Sequence, residues 1–429
     1  MQVKVERVKK LNGIFEVPPD KSLSHRAVML GSLCRGKVKI KNFSQGEDCQ
    51  NTLKIFQNLG VNVDFIDEKN FILNSKTLTP SPKPLYAGNS GTTMRLLSGI
   101  LAGQNFSSQI EGDESLSKRP MKRIIEPLRL MGADITSKNG DFKAPLIINP
   151  AKLSAIDYIS PIASAQVKSC ILFAGLFADG KTSVTEPYKS RDHSERMLKY
   201  LGANISENDL TVSIEKSSLE AKEIEISGDI SSAGFFFVAG AIVPNAQITV
   251  KNVNINPTRT GIIDVMKKMG ANIEILDKRE ICGEEVGDIR VSYTENLRGI
   301  TIEGEVIPRL IDELPVIAIL ASQADGETVV KDAQDLRNKE SDRIKSVVRE
   351  FSKLGVNIKE TQDGFIINGK TPLNGEVEID TYHDHRLAMS AYIAGLICEK
   401  PILINDFEWV NTSFPEFLKI INKLTLSVS

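Results

Sequence analysis

Six segments of this chain carry residues that can grip anions or move protons. Lys21-Ser22-Leu23-Ser24-His25-Arg26 follows Val17-Pro18-Pro19-Asp20. The prolines stop a strand, and Ser22 and Arg26 fall four apart on one face of the helix that opens next. That pattern suits a phosphate or carboxylate grip, and it equally suits an ordinary capped helix with solvated basic residues. Gly88-Asn89-Ser90-Gly91-Thr92-Thr93-Met94-Arg95 places two glycines around Asn and Ser just before an apolar helix. Glycine admits close approach of backbone to a ligand. The segment lacks the Gly-Lys-Ser/Thr ending of a phosphate loop and does not read GxGxxG. Ser164-Ala165-Gln166, Ser231-Ser232-Ala233-Gly234, Asp312-Glu313 and His383-Asp384-His385-Arg386 open four further apolar helices. Helix N-termini carry partial positive charge and unpaired N–H donors, so several of them can build an anion site from backbone.

Three basic runs point the same way. Ser117-Lys118-Arg119-Pro120-Met121-Lys122-Arg123 is expected to open a helix with four cations in its first turn. Lys189-Ser190-Arg191 and Arg337-Asn338-Lys339-Glu340-Ser341-Asp342-Arg343 repeat the arrangement. Cations there oppose the helix dipole unless an anion offsets them; a solvated charged face is the other reading. Asp312 and Glu313 fit either N-capping or a general base beside a basic pocket. His383, Asp384 and His385 are too close in sequence to chelate one ion well, so no metal is expected and Arg386 reads better as a carboxylate fork.

The elements that hold these residues recur. Leu59-Gly60-Val61-Asn62, Met131-Gly132-Ala133-Asp134, Leu201-Gly202-Ala203-Asn204, Met269-Gly270-Ala271-Asn272 and Leu354-Gly355-Val356-Asn357 are five versions of one helix end. Their glycines are separated by 72, 70, 68 and 85 residues (60→132→202→270→355). Ile421-Asn422-Lys423-Leu424 reads as a degenerate sixth copy. Gly at this position supplies the left-handed conformation that ends a helix. Each unit runs apolar helix, strand, amphipathic helix, strand, and one strand more. The first helix is apolar nearly all round, as in Ala163–Ala178, Ile311–Ala324 and Arg386–Cys398, and belongs in an interior. A period near 70 residues is too long for a solenoid. Six small α/β units split most simply into two domains of three, with the break near Lys222 to Ile230.

Bulk composition agrees with a soluble globular chain. The 429 residues hold 53 Lys and Arg against 55 Asp and Glu, a formal charge of −2. That balance argues against a general nucleic-acid or membrane-surface binder. The five cysteines, Cys34, Cys49, Cys170, Cys282 and Cys398, form no CxxC pair, so free thiols in a reducing cytoplasm are expected. The N-terminal Met1-Gln2-Val3-Lys4-Val5-Glu6 alternates like a strand rather than a signal peptide. No apolar run approaches the roughly 20 residues of a membrane span.

The constellation resembles the 5-enolpyruvylshikimate-3-phosphate synthase family. Asp20-Lys21-Ser22 with Arg26, Gly88 to Arg95, Lys118-Arg119-Pro120, Ser164-Ala165-Gln166, Ser190-Arg191-Asp192-His193, Asp312-Glu313-Leu314-Pro315, Lys339 to Arg343 and Asp384-His385-Arg386 occur in family order over nearly the whole chain. Ser-Ala-Gln and Asn-Ser-Gly-Thr-Thr are similar to its second class. The resemblance implies an α/β fold of two similar domains, residues 20–229 and residues 1–19 with 230–429, each three βαβαββ units around buried parallel helices, an inside-out α/β barrel with the active site in the interdomain cleft. It implies transfer of the enolpyruvyl group of phosphoenolpyruvate to the 5-hydroxyl of shikimate 3-phosphate, without a cofactor or metal and as a cytoplasmic monomer. On it, Lys21, Ser22, Arg26, Ser164, Ala165, Gln166, Ser190, Asp312 and Lys339 bind shikimate 3-phosphate. Lys21, Asn89, Gly91, Arg119, Gln166, Arg343 and Arg386 bind phosphoenolpyruvate. Asp312 is the base, and Glu340 and Lys21 are the candidates to protonate the methylene.

Three positions depart from the pattern. Asn411 precedes Thr412-Ser413-Phe414-Pro415 where many relatives have Lys, Asp335 stands where some have Asn, and Leu96 follows Arg95 where herbicide-sensitive relatives often have Pro. The sister family acting on UDP-N-acetylglucosamine usually has Lys-Asn and a reactive loop Cys; here Lys21-Ser22 stands and no Cys lies between Cys49 and Cys170. A non-catalytic anion-binding scaffold would not need Asp312 and Glu340.

Overall fold

The structure, a computed structural model, describes residues 1–75 and 77–426. Its chain divides into two compact units. Pro19–Ile226 with Glu280–Glu284 make the first; Met1–Pro18, Ser227–Arg279 and the chain from Glu285 onward make the second. Each has its own hydrophobic core, the first ending at Ile226 and the second beginning at Val5 and resuming at Ile230.

Each unit contains three sheets built to one plan. A short strand leads into a buried helix, and the strand after that helix returns parallel to it. Leu85–Tyr86, helix Gly91–Ala102 and Ser108–Glu111 do this in the first unit. Asp157–Ile159, helix Ala165–Gly175 and Lys181–Thr185 repeat it. In the second unit the same form is Thr301–Ile302, helix Leu314–Ser322, Gly326–Val330, and then Glu378–Ile379, helix His385–Gly395, Ile402–Ile404. These are βαβ crossovers, and they leave each helix between flanking strands with its N-terminus just after a strand's C-terminal end. Antiparallel strands complete each sheet, such as Phe365–Gly369 on Gly326–Val330.

The remaining two modules exchange their leading strands. Asn12–Glu16 precedes helix Lys21–Gly31 but pairs with Gln247–Asn254 in the second unit. Ile224–Glu225 precedes helix Ile230–Ile242 but pairs with Cys34–Lys41 in the first unit. The chain therefore changes unit just after each of these strands, at residues 18–19 and 226–227.

The helices that follow the leading strands are the interior ones. All thirteen residues of Ile230–Ile242 and all nine of Leu314–Ser322 are buried, as the all-round apolar pattern requires. Helix Gly91–Ala102 packs against both Lys21–Gly31 and Ala165–Gly175. Gly99 makes the second contact possible, since a Cβ there would stand 2.1 Å from the Cys170 carbonyl oxygen. The second helices are amphipathic; Arg343–Lys353 buries Ile344, Val347 and Phe351 and exposes Lys345 and Arg349.

Gly60, Gly132, Gly202, Gly270 and Gly355 all adopt φ between +81° and +93°, the conformation their helix ends demand. The sixth copy differs: helix Phe417–Leu426 runs on through Ile421-Asn422-Lys423-Leu424 because no glycine stops it. All three basic runs also differ from expectation, and Lys189-Ser190-Arg191 lies wholly before helix His193–Tyr200, whose N-cap position is Asp192. Lys118 closes a short helix, Glu114–Lys118, whose N-cap is Asp113, and Arg119 is extended. Only Lys122 and Arg123 stand in the first turn of helix Lys122–Leu130. Likewise Arg337 lies in the 3-10 turn Gln334–Asn338, and Arg343 begins a helix capped by Asp342. In these last two an Asp preceding a helical turn fixed the start, a stronger local signal than the cations.

Candidate active site

The first unit's candidate residues gather at the N-termini of its three buried helices. Asp20 caps the first, accepting from Leu23 N at 2.8 Å. Lys21 pairs with Asp48. Arg26 is nearly buried and donates to Ser194 Oγ at 2.7 Å, Ser169 Oγ at 3.1 Å and the Ser22 carbonyl at 2.9 Å. It thereby ties Ser22 to two other helices. Burial lowers its pKa to about 10, against the raising influence of Glu195.

At the second opening Ser90 caps the helix by accepting from Thr93 N. Asn89 donates to Asp113 at 2.7 Å and accepts from Arg119 at 2.6 Å, so Arg119 is held against the loop. Gly91 leaves room for two guanidinium groups: a Cβ would lie 2.6 Å from Arg95 Nη1, which would have to swing aside, and 3.7 Å from Arg119 Nη1. Gln166, from the third opening, accepts from Arg95 at 2.7 Å and Arg123 at 3.2 Å and donates to Thr92 at 3.1 Å. Asn89, Gly91, Arg119 and Gln166 are thus one cluster, and Arg95 and Arg123 join it. Arg95 sits within an apolar helix pattern, where its four-residue spacing from Gly91 is the sequence clue to its place in the cluster. Ser164 and Ser190 are joined through Glu186, and Ala165 follows Ser164 at the half-buried start of the helix.

The second unit gathers a carboxylate among cations. Asp312 lies 3.3 Å from Arg343, 3.7 Å from Lys339 and 4.0 Å from Arg386. Arg386 also donates to the Asp312 carbonyl at 3.3 Å. Arg343 is buried and reaches Asp384 at 2.8 Å and Glu340 at 2.5 Å. Burial opposes its charge, but Asp384, then Glu340 and Asp312, more than compensate and raise its pKa above the ordinary value. Asp384 caps helix His385–Gly395 and accepts from Arg386 N at 2.9 Å. Asp335 pairs with Lys339 at 3.1 Å. Glu313 does not cap its helix; it accepts from Ser231, which in turn accepts from buried Arg259 at 2.6 Å. The fourth opening, for which the sequence offered no role, therefore braces the residue beside Asp312. No sequence pattern joins positions 231, 259 and 313.

His383 stacks on Trp409 at 4.8 Å, while His385 enters the helix and is buried. Among the described residues no group of three or more His, Cys, Asp or Glu is placed to hold a metal ion, and no helix is long and apolar enough to cross a membrane. The described cysteines are all free.

Two α/β units of three modules each, one presenting capped helix openings among arginines and the other a carboxylate among cations, define an enzyme architecture for polyanionic substrates. The comparisons with known proteins narrow that class. The model of the EPSP synthase (3-phosphoshikimate 1-carboxyvinyltransferase) family matches residues 5–421, and the chain belongs to that family. It is 48% identical to the 3-phosphoshikimate 1-carboxyvinyltransferase of Petrotoga mobilis and 47% identical to that of Bacillus subtilis, each over 99% of both chains. The structure of EPSP synthase from Acinetobacter baumannii aligns with TM-score 0.89 and 42% identity, covering 99% of this chain and 98% of that one. The enolpyruvyl transferase NikO from Streptomyces tendae shares the fold, with TM-score 0.80 at 15% identity over 98% and 96% of the two chains.

Proposed function

We propose that this chain transfers the enolpyruvyl group of phosphoenolpyruvate to the 5-hydroxyl of shikimate 3-phosphate and releases phosphate. Full-length similarity to enzymes of that name supports the reaction, and the single structural observation that carries it is Asp312 within 4.0 Å of Lys339, Arg343 and Arg386. A base that must ionise beside two anionic substrates needs such cations.

Lys21, Ser22, Arg26, Ser164, Gln166, Ser190 and Lys339 bind shikimate 3-phosphate, with Ala165 at the helix start. Lys21, Asn89, Gly91, Arg119, Gln166, Arg343 and Arg386 bind phosphoenolpyruvate. Asp312 takes the 5-hydroxyl proton as that oxygen bonds to the central carbon of phosphoenolpyruvate. The methylene carbon gains a proton, with Glu340 and Lys21 as the donors to distinguish. The tetrahedral adduct then loses a methyl proton and its phosphate, leaving the enol ether. The reading favours the shikimate substrate over UDP-N-acetylglucosamine because Ser22 stands beside Lys21 and no cysteine is present between Cys49 and Cys170. We place the enzyme in the cytoplasm as a monomer, which gel filtration of the purified chain checks.

Mixing the protein with shikimate 3-phosphate and phosphoenolpyruvate is expected to release inorganic phosphate and yield the enol ether. Absence of phosphate release at micromolar enzyme would overturn the assignment.

A further inference from the structure

The first unit buries an ionic triad that no proposed substrate contact uses. Lys168 lies 2.7 Å from Glu186 and 2.7 Å from Glu195, and the three side chains are 2%, 3% and 1% exposed. A buried ion pair is a poor source of stability, since desolvation consumes most of the attraction, so a specific geometric role accounts for it better. Glu186 has one. Its Oε1 accepts from Ser164 N at 2.9 Å. Its Oε2 accepts from Ser190 Oγ at 2.9 Å and Ser190 N at 3.3 Å. Lys168 also donates to the Ser190 carbonyl at 3.5 Å. One carboxylate thus joins the opening of helix Ala165–Gly175 to the loop that follows strand Lys181–Thr185.

We propose that Glu186 is a positioning residue for the phosphate group of the first substrate: it fixes the spacing of Ser164 and Ser190, and Lys168, shared with Glu195, offsets part of its charge. This rests on the assignment of Ser164 and Ser190 to shikimate 3-phosphate. The serine hydroxyls do the binding; Glu186 acts through them. When phosphate arrives, the Ser190 hydroxyl turns its proton from Glu186 to the ligand, while Ser190 N and Lys168 continue to satisfy the carboxylate. Only a carboxylate can accept at both ends in this way. A glutamine has one acceptor oxygen, and its NH2 would face either the Ser164 or the Ser190 N–H as donor against donor. Glu186→Gln leaves one buried cation with one buried anion, so the fold is expected to survive it.

The two effects of that substitution oppose each other. Removing a negative charge near the phosphate favours binding, whereas releasing the two serines weakens it. Steady-state phosphate release, measured with each substrate varied, decides between them. Glu186→Gln is expected to raise KM for shikimate 3-phosphate at least tenfold, with kcat and KM for phosphoenolpyruvate changed less than threefold. In a Ser190→Ala background its effect on that KM should shrink at least threefold, because the two residues act through one contact. Tighter shikimate 3-phosphate binding, the same factor in both backgrounds, or an equal effect on kcat and both KM values overturns the proposal. If circular dichroism shows Glu186→Gln unfolded, Glu186→Asp, which keeps the charge but withdraws the oxygens, enters the same cycle with the same criteria. A wild-type chain that releases no phosphate refutes the parent assignment instead, whereas an active chain whose KM for shikimate 3-phosphate is unchanged by Glu186→Gln refutes only the positioning role.

Discussion

Asp312 and His25 show how differently two ionisable side chains can be used. Asp312 is surrounded by Lys339, Arg343 and Arg386. Removing its carboxylate leaves those cations with less counter-charge, so anions should still bind. Asp312→Ala is therefore expected to lower kcat by about 10²–10⁴-fold, the range of a lost general base, while shikimate 3-phosphate affinity by calorimetry stays within severalfold. Parallel loss of binding and turnover would argue for a purely structural role. His25, in contrast, is buried against Thr52 at 2.8 Å. Burial, reinforced by Lys21 and Arg26, holds its pKa well below the ordinary 6.5. The unfolded chain thus binds a proton below pH 6.5 that the folded chain refuses. The His25 contribution to stability is complete above pH 6.5 and falls as the pH drops below it, by at most about 1.4 kcal/mol per pH unit. In urea unfolding between pH 7 and pH 5, His25→Gln should show a correspondingly shallower loss; an unchanged slope would remove His25 as its source.

At the scale of elements, the decisive contacts are those where backbone meets backbone. Gly99 lets helix Gly91–Ala102 approach helix Ala165–Gly175, and a Cβ there would meet Cys170 O at 2.1 Å and Cys170 C at 3.0 Å. Alanine has the better helix propensity by about 1 kcal/mol, but the obstacle is main chain and cannot rotate away. Gly99→Ala is expected to destabilise the protein by about 1–3 kcal/mol, as overpacked cores do, and to displace Arg95 and Gln166 on those helices, raising KM for phosphoenolpyruvate. A urea midpoint at or above that of the wild type would refute this. The elements themselves were largely readable in the sequence. Gly60, Gly132, Gly202, Gly270 and Gly355 mark helix ends because few other residues tolerate φ near +90°, and full apolarity marks the interior helices. What stayed hidden was long-range: Arg95 within an apolar helix, Lys168 with Glu186 and Glu195, and Ser231 under Glu313 depend on residues 18 to 82 positions apart. The Lys118-Arg119 run closes a short helix instead of opening a longer one because the Asp113 cap fixes an earlier start.

The whole molecule is two units that the chain divides unequally, and the inequality can be tested. Residues 227–426 alone lack Val3–Val5, which pairs with Ile402–Ile404, and Asn12–Glu16, which pairs with Gln247–Asn254. They also lack Val5, Leu11, Phe15 and Val17, all buried in the second unit's core. At about 1.5–3 kcal/mol for each buried side chain, the deficit is roughly 6–12 kcal/mol, comparable to the entire stability of a typical domain. The first unit loses far less when cut out as residues 19–226. It gives up the Glu284 partner of His193 and the Cys282 contact to Glu225 N, but no member of its apolar core. Expressed separately, 19–226 is expected to unfold cooperatively in urea, and 227–429 to show little tertiary structure by near-ultraviolet circular dichroism. Adding a peptide of residues 1–18 should restore a cooperative transition to the latter, because it returns both strands and all four apolar side chains. A fragment 227–429 that folds without the peptide would show that the strands donated by the N-terminus are dispensable, and that the exchange of leading strands is a matter of chain routing rather than of stability.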